Sequence, residues 1–152
     1  MVLFDSAQEI HPPSKFRRYT ITTVVFLSLL TLAGWYLLRF YHEKDTVRHF
    51  LSTVAAGNME EAYKIWKPSA SYSFKDFLDD WGPDGYYGPV KSFRVERATK
   101  RKDASGVDVI VEISPYRPFP DSGDAEKQSK TKEVDLWVEF KDQSISFPPP
   151  AL

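Results

Sequence analysis

The chain reads as an α+β protein carried on a single transmembrane helix, and three observations predict it. Residues 19–38, YTITTVVFLSLLTLAGWYLL, hold no charged side chain. Three segments between residues 45 and 81 then place apolar residues at helical spacing. After about residue 90 the apolar period shortens to two. Helices first and strands afterwards, without alternation, is the pattern of helices packed on one face of an antiparallel sheet.

The uncharged run has 20 residues between Arg18 and Arg39. At 1.5 Å per residue it spans roughly 30 Å, the hydrocarbon thickness of a bilayer. Arg18 and Tyr19 at one end, and Trp35, Tyr36 and Arg39 at the other, are the charged and aromatic residues that settle at membrane interfaces. The spacing predicts a transmembrane helix over 19–41. A cleaved signal peptide is the alternative, with Thr31, Leu32 and Ala33 before a cut. The apolar run continues through WYLL beyond that point, longer than an ordinary signal core. Basic residues are balanced across the helix, with Lys15, Arg17 and Arg18 before it and Arg39, Lys44 and Arg48 after it. The tighter N-terminal cluster favours residues 1–18 as a cytoplasmic tail and the rest as a periplasmic domain of an inner-membrane protein.

The helix carries no side chain that ligates haem and none that relays protons. Its hydroxyls and small residues, Ser28 and Thr31 among them, either pack on another helix or bond back to their own backbone.

From Asp45, Val47, Phe50, Leu51, Val54 and Ala55 make one apolar stripe, and Gly57 stands where a helix ends. Asn58 with Glu61 three residues on is a capping-box pattern opening a second helix, whose inward residues are Met59, Ala62, Ile65 and Trp66. Pro68 closes it. Ser73 with Asp76 opens a third, with Phe74, Phe77, Leu78 and Trp81 inward. The stretch WGPDGYYGPVKSF, residues 81–93, has three glycines and two prolines and reads as a connector into the first strand. Its adjacent tyrosines, Tyr86 and Tyr87, point to opposite sides of an extended chain, so one belongs at a rim. Residues 90–99 form a strand. Val107, Val109, Val111 and Ile113 alternate with Asp108, Ile110, Glu112 and Ser114, and Val134, Leu136, Val138 and Phe140 with Glu133, Asp135, Trp137 and Glu139. A short strand over 144–147 completes the sheet. Trp137 falls on the alternate, acidic face.

The segment VRHFLSTVAAGNMEEAYKIWKPSA resembles the opening of nuclear-transport-factor-2-like domains, in which a helix runs through a Gly-Asn turn into a second helix. The resemblance extends over residues 45–147 and is to bacterial membrane-anchored members. It implies a cone-shaped curved sheet wrapped by three helices, an α+β roll, often with a pocket. It implies no activity, because the fold hosts enzymes, ligand binders and interaction domains alike.

Chemistry is sparse. The absence of cysteine excludes disulfides, thiolate metal sites and cysteine nucleophiles. A net charge of −1 gives no electrostatic case for nucleic acid. His11, His42 and His49 all precede residue 50, away from Asp79, Asp80 and Asp84, so no acid–base dyad assembles across a pocket. No phosphate loop, nucleophile elbow or zinc motif occurs. The expectation is a non-catalytic chain without cofactor. The loop PYRPFPDSGDAEKQSK, residues 115–130, displays Tyr116, Arg117 and Phe119, the residue types that anchor interfaces, or folds them onto its own sheet. With Tyr86 and Tyr87 these are the candidate partner-binding residues. The leading expectation is an accessory or assembly subunit of an integral membrane protein complex, respiratory or photosynthetic, lying in the lipid bilayer. A membrane-tethered small-ligand binder is the alternative. Residues 148–152 form a proline-rich C-terminal tail.

Overall fold

In a computed structural model, residues 15–150 are described. The expectations for residues 1–14, including His11 and most of the cytoplasmic tail, and for Ala151 and Leu152 lie outside them. The chain divides into two compact units, up to Arg39 and from Phe40 onward.

The first unit holds helix α1, Lys15–Leu38. Among the described residues it carries the one stretch apolar and long enough to cross a membrane. The helix starts four residues before the uncharged run, since nothing in KFRR opposes helix. Thr22, Thr23, Ser28 and Thr31 each donate to the carbonyl four residues back, at 2.8–2.9 Å. Of the two readings of these hydroxyls, the structure displays back-bonding, which satisfies them without a neighbouring helix.

The second unit is α+β. Helix α2 spans Tyr41–Ala55, α3 Met59–Ile65 and α4 Phe74–Trp81. Strands β1 (Ser92–Thr99), β2 (Gly106–Ser114), β3 (Lys132–Glu139) and β4 (Ile145–Ser146) form an antiparallel sheet in chain order. A one-turn helix, α5 (Ala125–Gln128), sits between β2 and β3.

Helix ends follow local chemistry. Gly57, at φ 79°, closes α2. Its amide donates to Val54, and the Asn58 amide to Thr53, at 2.9 and 3.1 Å. These two bonds are a Schellman motif, which needs the left-handed conformation that glycine adopts at low cost. Ser73 and Asp76 form a reciprocal capping box on α4. Asn58 occupies the N-cap of α3 without a side-chain capping bond, so the second expected capping box does not form. The Asn58 amide is already used in closing α2, and with φ −84° and ψ 66° the residue lacks the extended backbone of a capping residue.

The core joins α2, α3 and α4 to one sheet face. Phe50 is its centre, with ring centroids 5.4 Å from Trp66, 6.2 Å from Phe77 and 5.1 Å from Trp81. Val107, Val109, Val111 and Ile113 from β2 and Val134, Leu136 and Val138 from β3 complete it.

The other face of β2 departs from simple alternation, because Asp108, Ile110 and Ser114 are buried as well. Strand β2 is central and so flanked on both sides. Opposite Asp108 lies Trp137, 6% exposed and outside the core cluster. The Arg101 guanidinium lies 6.0 Å from the Trp137 ring. It donates to Asp108 at 3.0 Å and to the Pro149 carbonyl at 3.0 Å, fastening the C-terminal segment across this face. In β1 the register slips between Val95 and Arg97, a bulge at Glu96.

Candidate functional site

One end of the sheet gathers the start of β1, the end of β2, the start of β3 and the two longest connections. It is remote from the α2 N-terminus. There, Gln143 of the β3–β4 turn accepts from Thr46 at 3.1 Å and lies 3.5 Å from Glu43. Strand β3 runs about 23 Å from that turn to Lys132, at 3.3 Å per residue.

The 82–91 connection is wound tightly onto the end of α4. The amides of Tyr86 and Tyr87 donate to the carbonyls of Asp79 and Asp80, at 2.9 and 2.7 Å. This settles the two tyrosines on different sides. Tyr87 stacks on Trp81 at 4.9 Å and joins the core. Burial, then the Asp80 charge, pushes its phenol pKa up. Tyr86 meets Tyr87 edge to face at 4.9 Å and stands 70% exposed. Lys132 at the start of β3 donates to the Tyr86 carbonyl, and its ammonium lies 4.9 Å from the centre of that ring.

The 115–131 connection lies back against its own sheet. Ser92 donates to the Tyr116 carbonyl at 2.6 Å, and the Tyr116 amide to Ser114 Oγ at 3.2 Å. Phe119 sits 4.5 Å beneath the Arg94 guanidinium, and Gln128 on α5 donates to the Pro120 carbonyl at 2.8 Å. The loop is therefore not structureless. Of the two readings of its aromatics, folding onto the sheet describes Phe119, which is half-buried. Tyr116 is half-buried too, with the ammoniums of Lys127 and Lys130 each 5.9 Å from its ring centre. The Tyr116 phenol pushes the Lys130 ammonium pKa up. Arg117 alone of the three is exposed. Tyr86, Tyr116 and Arg117 thus share an aromatic and cationic sheet end. Lys130 and Lys132 belong to it and went unread, because a lysine beside a strand carries no signal of its own in sequence.

A second concavity, about 630 Å³, follows the edge strand β4, with Trp66, Tyr72, Trp137, Phe147 and Pro149 among its walls. Beside it the Tyr72 hydroxyl donates to Asp80 at 2.6 Å. Burial, reinforced by that bond, pushes the phenol pKa well up. Asp80 on α4 is itself half-buried. Among the described residues no three His, Asp or Glu side chains come together as a metal site.

On α1, Arg18, Tyr19, Trp35 and Tyr36 are exposed, as is Arg39 just after the helix. The Arg39 guanidinium lies 5.5 Å from the Trp35 ring.

Comparison with known protein families, curated proteins and solved structures finds no match to this chain.

Proposed function

We propose that this chain is a non-catalytic, single-pass membrane protein whose α+β domain docks on a larger integral membrane complex as an accessory or assembly subunit. The observation that carries the reading is Tyr86. Its backbone is fixed by α4 and its ring is held 70% exposed beside Lys132, an ordered aromatic with no role in the core. The interior offers a ligand little, since Phe50, Trp66, Phe77 and Trp81 fill it with touching rings. The docking face then comprises Tyr86, Tyr116 and Arg117, with Tyr87 and Phe119 supporting it from beneath.

In this reading α1 lies in the inner membrane, with its N-terminus inside and the domain periplasmic. The domain is a nuclear-transport-factor-2-like roll, supported by helices preceding an antiparallel sheet and by the Gly57–Asn58 turn between α2 and α3. Respiratory and photosynthetic electron-transfer complexes are the proposed hosts, the chain adding contacts rather than redox groups.

The test is to solubilise native membranes in mild detergent, run a native gel and locate the chain by mass spectrometry. Co-migration with a haem- or pigment-bearing complex is expected. Migration alone, near 17.5 kDa plus detergent, would overturn the reading.

A second reading, a membrane-tethered small-ligand binder, is favoured by the β4 cleft, which Trp66 and Trp137 line. It predicts a tryptophan emission shift with apolar ligands. No shift with any ligand class would remove it.

A further inference from the structure

Between the 82–91 and 115–131 connections lies a notch of about 110 Å³, lined by Gly88, Pro89, Ser114, Pro115, Lys130 and Lys132 among others. That is the room of three to four waters, at about 30 Å³ each. Lys127 and Arg94 nearby have acidic partners, Asp124 at 2.7 Å and Glu112 at 3.6 Å. Lys130 and Lys132 have no carboxylate within ion-pair distance among the described residues. Glu126 acts on Lys130 only through space. Lys132 gives one donor to the Tyr86 carbonyl, which locates its ammonium and leaves two donors free. Lys130 and Lys132, two residues apart, both line this space, which is sized for a single oxyanion group; Tyr116 holds the Lys130 ammonium as Tyr86 holds that of Lys132.

We infer that this notch seats a carboxylate from an acidic segment of the docking partner. The inference rests on the docking reading above. Tyr86 and Tyr116 flank the lysines and supply aromatic contact for the rest of such a segment. Positive charge facing negative charge sets register and speeds encounter.

The full-length chain in phosphatidylcholine nanodiscs is titrated with fluorescein-labelled hexaglutamate. Saturable binding is expected, weakened at least about tenfold in the K130E/K132E double variant. It should stay within about twofold of wild type in K100E/K102E, which moves the net charge equally at the other end of the sheet. Equal loss in both variants, or no binding at all, would overturn the notch. So would preferential displacement of the peptide by phosphatidylglycerol vesicles or by inorganic phosphate, since the seat would then belong to a phosphate. The native gel reports separately. A wild-type chain that binds hexaglutamate yet migrates alone sinks the docking reading, whereas a chain that co-migrates but ignores the peptide sinks only the notch.

Discussion

Trp66 at the end of α3 and Phe147 just after β4 meet edge to face, with ring centroids 4.7 Å apart and planes at 67°. The contact joins residues 81 positions apart. It is also where the last segment of the chain closes on the helical core, since Phe147 lies 6.5 Å from Trp81 and 5.7 Å from Tyr87 as well. A two-residue strand such as β4 has too few ladder hydrogen bonds to hold itself in place. Replacing Phe147 by alanine is expected to cost about 2 kcal/mol, below the roughly 3–5 kcal/mol of a fully buried phenylalanine. Urea unfolding in detergent, followed by tryptophan fluorescence, measures this. An unchanged midpoint would mean the tail contributes nothing.

Gly88 makes a sharper demand. A Cβ there would lie 1.8 Å from the Gly82 carbonyl oxygen, an overlap that only movement of the connection can relieve. Gly88→Ala is expected to destabilise by about 2–4 kcal/mol, within the range of other strained backbone substitutions. Gly123 has nothing within 4 Å of its Cβ position, and Gly123→Ala should stay within about 0.5 kcal/mol. Thermal unfolding of the two variants side by side checks the pair. Equal effects would mean the 82–88 winding is loose.

The contrast bears on what the sequence reveals. Ser73 with Asp76 and Gly57 before Asn58 are local signals, because their hydrogen bonds reach only a few residues, and both were readable as helix boundaries. The 3.6 and 2 periods placed Phe50, Trp81 and Val109 correctly for the same reason. Burial of Asp108 and Ile110 was not legible, since alternation reports one sheet face and says nothing of what covers the other. The Arg94–Phe119 contact spans 25 positions, and Lys132, which meets the Tyr86 ring, comes from β3, 46 positions further along the chain. The candidate site is built almost wholly from such long-range juxtapositions, so the sequence named its aromatics and missed Lys130 and Lys132.

Tyr72 and Asp80 tie stability to alkaline pH. The folded-state pKa of the Tyr72 phenol lies above its ordinary value of 10, first through burial and then through its bond to Asp80. A raised folded pKa means the folded state keeps the proton longer than the unfolded one. The associated stability is therefore complete below about pH 10 and declines as pH rises above it. Tyr72→Phe should lose about 1 kcal/mol at neutral pH through the missing hydrogen bond. Its stability should also fall less steeply than wild type between about pH 10 and 12. Unfolding midpoints across that window test the point, and parallel curves would remove Tyr72 as the cause.

The neighbouring tyrosines separate docking from folding. Tyr87 stacks on Trp81 and contacts Phe147, so Tyr87→Ala should destabilise the domain by about 2–3 kcal/mol and disturb any assembly indirectly. Tyr86 touches Tyr87 and Lys132 but is mostly exposed. Tyr86→Ala should change stability by less than about 1 kcal/mol, as for other surface contacts. On the docking reading it should nonetheless weaken co-migration with the host complex on a native gel, because an ordered exposed aromatic spends its apolar area on a partner rather than on the fold. Tyr86→Phe keeps the ring and should restore much of the association. An assembly indifferent to Tyr86→Ala, in a chain whose unfolding is equally indifferent, would mean that this end of the sheet is ordinary surface.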